Sequence, residues 1–273
     1  MLKDYKEITF DENAPCGIEY NLHTHNYLCG HASGEVVDYV SEAVKNNLKL
    51  IGISDHIRQP HVETSYVYID DLDEKYLRQF IPAKELYGDR TEILAGGEIE
   101  YLSENNNYYK KLLKKLNYLI LGQHFFKYNG EIVSVFTPGK TENMGLSYFA
   151  QLKAGVKTGY FSVLAHPDMI LLSGIIVTPK LECALKDLIA TAKNAGVFTE
   201  LNANGIRGNG FFYPSDLLVN ICLELNAPVV VSSDAHSPSS LCDEHFKKLC
   251  FYAKNKGLRI ASLKEIQAKI KGL

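Results

Sequence analysis

The chain has 273 residues, 46% of them hydrophobic and 22% charged, with a formal net charge of −3. Such a length fits one large domain or two small ones, and the composition is that of a soluble globular protein with a substantial core. The slight acidity, with no basic tract, excludes a nucleic-acid surface as the main feature, and no apolar run approaches the roughly 20 residues of a membrane span.

Residues 1–17 read as an N-terminal extension without the apolar core of a signal peptide, so a cytoplasmic protein is expected. From residue 18 a regular alternation begins. An extended stretch reaches His23 and His25, and the following helix repeats Val36, Val37, Val40 and Ala43 at helical spacing, with Ser33 as its expected N-cap. The apolar run 48–54 has strand length and stops at Asp55 and His56. Residues 73–86 read as a helix kinked or restarted at Pro82, and the run from Glu92 closes on Glu98. A helix over 108–116 and a strand from Tyr118 lead to His124, and Asn129-Gly130 predicts a tight hairpin. The helix 143–157 precedes a strand ending at His166, and the helix 179–194 a strand reaching Glu200 and Asn202. A helix from about Pro214 precedes the run 227–233, which ends in Asp234 and His236. A helix over 243–256, a short run from Leu258 and a final helix from Leu263 complete the chain.

Short apolar runs alternating with amphipathic helices predict parallel strands buried on both faces and joined by crossovers. Seven or eight such units without a Pro/Gly/Ser-rich linker predict one (β/α) barrel domain over 18–273 rather than an open sheet. The cysteines Cys16, Cys29, Cys183, Cys222, Cys242 and Cys250 form no Cys-x-x-Cys pair and are expected as reduced thiols. Cys29, between two histidines, is the one thiol placed to touch a metal.

The predicted strands share one property. Each ends in a residue that can bind a metal: His23 and His25, Asp55 and His56, Glu98, His124, His166, Glu200 and Asn202, and Asp234 and His236, with His31 in the first loop. In a barrel all these ends open on one face, so the side chains converge. Taken alone, a His-x-His pair is often only a surface feature, and His61 and His245 are read as such surface residues. Convergence of the other seven histidines favours a shared metal site. Imidazoles with a few carboxylates suit zinc, iron or manganese, and this ligand set exceeds one tetrahedral ion, so two or three divalent ions are expected, with Glu98 able to bridge. Such a site suits attack of a metal-bridging hydroxide on a phosphate ester.

The ordered motifs resemble those of the PHP (polymerase and histidinol phosphatase) superfamily. Within it, His25-Asn-Tyr-Leu-Cys-Gly-His31, His166-Pro-Asp-Met and Glu200-Leu-Asn-Ala-Asn-Gly-Ile-Arg207, with Tyr213-Pro-Ser downstream, resemble the PHP-type histidinol-phosphate phosphatases. The resemblance implies a distorted (β/α)7-type, TIM-like barrel with three metal ions. One would be held by His23, His25, Glu98 and Asp234, a second by Glu98, His124 and His166, and a third by His31, His56 and His236. It also implies hydrolysis of L-histidinol phosphate to L-histidinol and phosphate in histidine biosynthesis. An Arg at the mouth of the cluster fits two phosphate oxygens, so Arg207 is expected to grip the transferring group, beside Glu98 and Asp234 as catalytic residues. Asn202 is expected to orient a ligand or contact substrate, and Glu200 to bond a ligating imidazole or read the substrate amine. Asp55 and Asp168 are expected as partners of histidines. The chain departs from the family pattern at Gly122-Gln-His124, one residue shorter than Gly-Ser-Val-His, and at Asn202-Ala-Asn-Gly205, which lacks the hydroxyls of Asn-Thr-Ser-Gly. Two other readings are a PHP phosphoesterase for another small ester or nucleotide, and a non-catalytic metal-binding or phosphometabolite-sensing module. A small phosphorylated partner is expected in either, not a long nucleic acid or a membrane.

Overall fold

A computed structural model describes residues 2, 5, 8–10, 16–60, 62, 72–207 and 213–272. Seven parallel strands form one sheet: β1 (Tyr20–Asn21), β2 (Leu50–Ile53), β3 (Glu92–Ile99) and β4 (Tyr118–Leu121), then β7 (Val163–Leu164), β8 (Phe198–Asn202) and β9 (Val229–Ser232), in that spatial order. Between β4 and β7 the chain inserts an antiparallel hairpin, β5 (Phe125–Tyr128) and β6 (Glu131–Ser134). At its turn Asn129 and Gly130 both have positive φ, 51° and 87°, the conformation that a two-residue hairpin loop requires. The sheet is nearly closed. A parallel bridge from Thr24 to Ala235 and a hydrogen bond from the His25 N–H to the Ala235 carbonyl (2.9 Å) draw the end of β9 onto the end of β1.

The helices are α1 (Val36–Lys45), α2 (Phe80–Tyr87), α3 (Asn106–Leu112), α4 (Glu142–Lys157), α5 (Pro179–Asn194), α6 (Asp216–Glu224), α7 (Glu244–Asn255) and α8 (Leu263–Lys271). Each buries one face on the sheet, as Leu181, Leu185, Leu188, Ile189 and Ala192 do on α5. The strands are buried on both sides, which is why they read as apolar runs rather than alternations.

Some local expectations change. Ser33 does not cap α1; the cap is Glu35, in a reciprocal box with Asp38, and the Ser33 N–H instead donates to the His236 carbonyl at 2.9 Å. The helix expected over 73–86 is a π turn (Leu72–Tyr76), a 3-10 turn (Leu77–Gln79) and then α2, which carries Pro82 in its first turn, where no N–H is needed. The run from Leu258 adds only a bridge from Ile260 to Val229. Among the described residues no helix is long and apolar enough to cross a membrane.

Candidate metal centre

Beyond the strand ends, the backbone turns inward with its polar side chains. Five non-glycine residues among those described have positive φ: Asn47, Asn129, Asn226, His166 and Asp234. The first three are asparagines, which tolerate this region in turns. His166 (φ 29°) and Asp234 (φ 47°) carry its strain at the expected metal site, where the surrounding structure holds them.

Glu98 is the centre of the cluster. One of its oxygens, Oε2, lies 3.3 Å from His23 Nε2, 3.6 Å from His25 Nε2 and 3.0 Å from His56 Nδ1. The other, Oε1, lies 2.9 Å from His166 Nε2 and 3.6 Å from His124 Nε2. Gly122 makes room for it, because a Cβ there would fall 1.9 Å from Glu98 Oε1.

Asp234 Oδ1 stands opposite, 3.0 Å from His25 Nε2 and 3.6 Å from His23 Nε2. Thus His23 Nε2, His25 Nε2, Glu98 Oε2 and Asp234 Oδ1 face one another while buried and without a hydrogen bond of good geometry. Buried polar atoms left so are costly unless something satisfies them. Donors bound at about 2.0–2.1 Å around a shared tetrahedral ion sit roughly 3.4 Å apart, and the two nitrogens lie 3.0–3.6 Å from the two carboxylate oxygens. The residues therefore fit a divalent cation. His56, Glu98 and His124 form a further group of mutually close donors, as do His25, His56 and His236. His31 joins them through its ring, 4.9 Å from that of His236 and 5.4 Å from that of His56.

The outer nitrogens of the rings are also assigned. Nδ1 of His23 meets Glu200 Oε1 at 2.7 Å, that of His25 meets Asp55 Oδ1 at 3.4 Å, and that of His124 meets Glu100 Oε1 at 3.4 Å. For His31 and His236 the partners are the carbonyls of Cys29 and Asp234, both at 3.0 Å. Three imidazoles, His23, His31 and His236, thus hydrogen-bond through Nδ1, and His25 and His124 have a carboxylate beside it, the arrangement that orients metal-binding histidines.

The electrostatics follow from this crowding. Burial raises the Glu98 and Asp234 carboxyls, yet the surrounding histidines outweigh it and hold both well below the usual range. Burial likewise pulls His25 down, but Asp234 and Asp55 reverse the sign and bring it up to about 9. His56 and His236 are driven down by burial, helped by the charge on His25, to about 3 and about 4.

Two expectations, for Arg207 and Asp168, are corrected, and the alternatives left open for Glu200 and Asn202 are decided. Arg207 does not reach the cluster: its Nε donates to Asp243 Oδ2 (2.8 Å), Nη1 to the Ser233 carbonyl (2.5 Å), and Nη2 to the Ser240 carbonyl (2.8 Å) and Asp243 Oδ1 (3.2 Å). The guanidinium is held by the N-cap carboxylate of α7, which the sequence motif alone does not reveal. Of the two alternatives for Glu200 and Asn202 the structure has the orienting one: both are buried, Glu200 against His23 Nδ1 and Asn202 against Asp234. Asn202 Nδ2 donates to Asp234 Oδ2 (3.0 Å) and Glu200 Oε2 (2.9 Å), and that oxygen also accepts the His166 N–H at 3.0 Å. Asp168 accepts the Ser215 N–H at 2.6 Å rather than serving a histidine. Cys29 is buried beside His25 and Asp55, its thiol pushed up to about 12 by burial. His245 stays beside Glu244 on α7, and His61 lies outside the described residues.

Glu100 escaped the sequence reading. As the second carboxylate of Glu98-Ile-Glu100 it shares a face with Glu98 by the period of a strand, and that is the signal that would have found it. Also unforeseen is the wall of the cavity. A hollow of about 240 Å³ opens over the cluster, bounded by His31, His124 and His236 and by the apolar Phe125, Phe136 and Met169, with Asn204 and Tyr213. Phe136, 42% exposed, lies nearly parallel to the His124 ring at 6.0 Å. The Gly122-Gln-His124 turn feeds directly into the hairpin β5–β6, whose first residue, Phe125, belongs to this wall. Gln123 fixes the turn, accepting the Tyr101 N–H at 3.0 Å and donating to the Phe125 carbonyl at 2.6 Å.

Known proteins share this architecture. The chain is 25% identical over 228 residues to a protein of Deinococcus radiodurans named a probable histidinol-phosphatase, covering 80% of this chain and 86% of that one. It is 24% identical to a Schizosaccharomyces pombe protein of the same name, over 79% of this chain and 80% of the relative. The crystal structure of histidinol phosphate phosphatase from Lactococcus lactis subsp. lactis with zinc, L-histidinol and phosphate superposes with a TM-score of 0.69 at 15% identity, over 89% of this chain and 95% of that one. The model of the PHP domain matches residues 21–204. More than half of the chain lies within that match, and the protein belongs to the PHP domain family.

Proposed function

We propose that the protein is a metal-dependent phosphomonoesterase whose substrate is L-histidinol phosphate. The observation that carries the reaction class is the placement of Glu98 between two groups of histidines, with one carboxylate oxygen toward each. His23, His25, Glu98 and Asp234 would hold one ion, Glu98, His124 and His166 a second, and His31, His56 and His236 a third. When bound, divalent zinc, iron or manganese supplies Lewis acidity toward the phosphoryl oxygens and an ionised water at neutral pH. The chain's own part is orientation and exclusion. Glu200, Asp55 and Glu100 keep imidazoles turned inward, Asn202 fixes Asp234, and Phe125, Phe136 and Met169 shield one side of the hollow from water. The same apolar side accepts a flat leaving group such as an imidazole.

The substrate is supported by the names of the two curated relatives and by the ligands of the Lactococcus structure. One observation favours a second reading, a small phosphomonoester without an amine: among the described residues the only carboxylates lining the hollow are Glu98 and Asp234, both in the proposed ligand sets. Phosphate release from histidinol phosphate, nucleoside monophosphates and sugar phosphates separates the two. The first reading predicts that histidinol phosphate exceeds the others in kcat/KM by at least about tenfold, about 1.4 kcal/mol of discrimination. A flat profile removes the substrate assignment, and no turnover on any ester, with metal bound, removes the phosphatase.

A further inference from the structure

The Tyr213-Pro-Ser215 segment is pinned beside the metal centre. The Ser215 N–H donates to Oδ2 of the buried Asp168 at 2.6 Å, and the Ser215 hydroxyl accepts the Leu218 N–H at 3.2 Å, capping α6. The Tyr213 ring meets the His166 ring edge-on at 5.7 Å and lies against Gly205, where a Cβ would fall 2.4 Å from it. The ring is thus placed by its packing and by its neighbours in the chain. Its hydroxyl takes no part, because it makes no hydrogen bond among the described residues. Unlike the Tyr148 and Tyr252 hydroxyls it is not sealed in the core, and Tyr213 lines the hollow over the cluster.

The rest of the lining offers few donors. Its histidines and carboxylates belong to the proposed ligand sets, Phe125, Phe136 and Met169 have no side-chain N–H or O–H, and the Asn204 amide is turned to Asp234 Oδ2 at 3.4 Å. Among the described residues no Lys or Arg lines the hollow, and Arg207 is engaged by Asp243. Outside the ligand sets, Tyr213 is therefore the described donor that borders the hollow without an acceptor of its own. A phenol carries its proton at neutral pH even at its ordinary pKa of about 10. Here burial, and then the charges of Asp234, Glu200 and Glu98, hold that proton more firmly still.

We propose that the Tyr213 hydroxyl donates a hydrogen bond to a phosphoryl oxygen of the substrate, the contact that the sequence motif suggests for Arg207. The inference rests on the phosphomonoesterase reading of the centre. Gly205, His166 and Ser215 fix the donor before any substrate arrives, so it needs no reorganisation as charge grows on the phosphoryl oxygens. Asp168 acts at one remove, by holding the chain at Ser215.

The test compares Tyr213→Phe with the wild type, both zinc-loaded and freed of excess ion. Inorganic phosphate is titrated calorimetrically, and hydrolysis of histidinol phosphate and p-nitrophenyl phosphate is measured alongside. The substitution removes one oxygen and leaves the ring against Gly205, so zinc content and Tm should match the wild type. Phosphate should bind about 10–100-fold more weakly, the loss expected for one hydrogen bond to a charged group. The kcat/KM should fall by a similar factor for both esters, because the contact is to the group they share. Phosphate affinity that is unchanged by the substitution, or absent in the loaded wild type, overturns the inference. A loss of rate confined to histidinol phosphate also overturns it, by putting the hydroxyl on the leaving group, and so does a loss of zinc that parallels the loss of phosphate. The phosphatase reading survives the first and last of these if the wild type still hydrolyses esters. Conversely, phosphate binding that depends on the Tyr213 hydroxyl in a protein that hydrolyses no ester upholds the contact and removes the phosphatase.

Discussion

Replacing Arg207 by Ala distinguishes a clamp from a phosphate grip. The guanidinium makes four hydrogen bonds, two to the Asp243 carboxylate and two to carbonyls, while being 17% exposed against 20% for its partner. Charge-assisted bonds contribute about 1.5–3 kcal/mol each when counted singly, and losing one partner of a buried pair costs about 3–5 kcal/mol. Partial exposure lowers that figure, so R207A should destabilise the fold by about 2–4 kcal/mol, read as a lower urea midpoint at unchanged m-value. The freed Ser233 carbonyl adjoins Asp234, so metal affinity should fall as well. Asp243→Asn keeps the N-cap of α7, whose carboxylate oxygen accepts the Phe246 N–H at 2.9 Å, but removes the charge. The two substitutions should therefore be strongly non-additive. If R207A instead retains stability and metal content while losing a hundredfold or more in kcat/KM, Arg207 grips phosphate and the clamp is refuted.

Three further outcomes follow from the same contacts. Glu200→Gln weakens the hold on His23 Nδ1 and should lower metal affinity about 10–100-fold, measured by competition with a chelating dye. Gly122→Ala places a Cβ 1.9 Å from Glu98 Oε1, so the carboxylate must move; metal content and activity should both collapse, and retained activity would show that the loop gives way instead. The metal-free protein should be most stable near pH 6.5. His25, raised from 6.5 to about 9, contributes stability that is complete below 6.5 and is lost as pH climbs through 9. His56 and His236, lowered to about 3 and about 4, contribute above 6.5 and lose that contribution as pH falls toward those values. Urea midpoints across pH 4–10 after chelation check the maximum, which loaded metal should broaden.

The barrel and the convergence of most candidate ligands were legible because both depend on local pattern. Parallel strands buried on two faces must be apolar runs, and the polar residue that ends each run must face the open end. The hairpin was readable at Asn129-Gly130 because few residues accept its positive φ. What could not be read depends on contacts distant in sequence. The Asp243 that claims Arg207 lies 36 residues away, with nothing in the local pattern to pair them. Glu200 and Asn202 stand at a strand end where the pattern allows orienting a ligand or touching substrate, and only their burial against His23 and Asp234 decides for orienting. The capping of α1 by Glu35 rather than Ser33 turned on Ser33 being engaged by the His236 backbone.

Anomalous diffraction from crystals grown with zinc or manganese is the most direct test of the centre itself. Peaks are expected within bonding distance of His23, His25, Glu98 and Asp234, and beside Glu98, His124 and His166, with Glu98 reaching toward both. Density for these carboxylates and imidazoles bonded directly to one another, with no anomalous signal among them at saturating metal, would contradict the account.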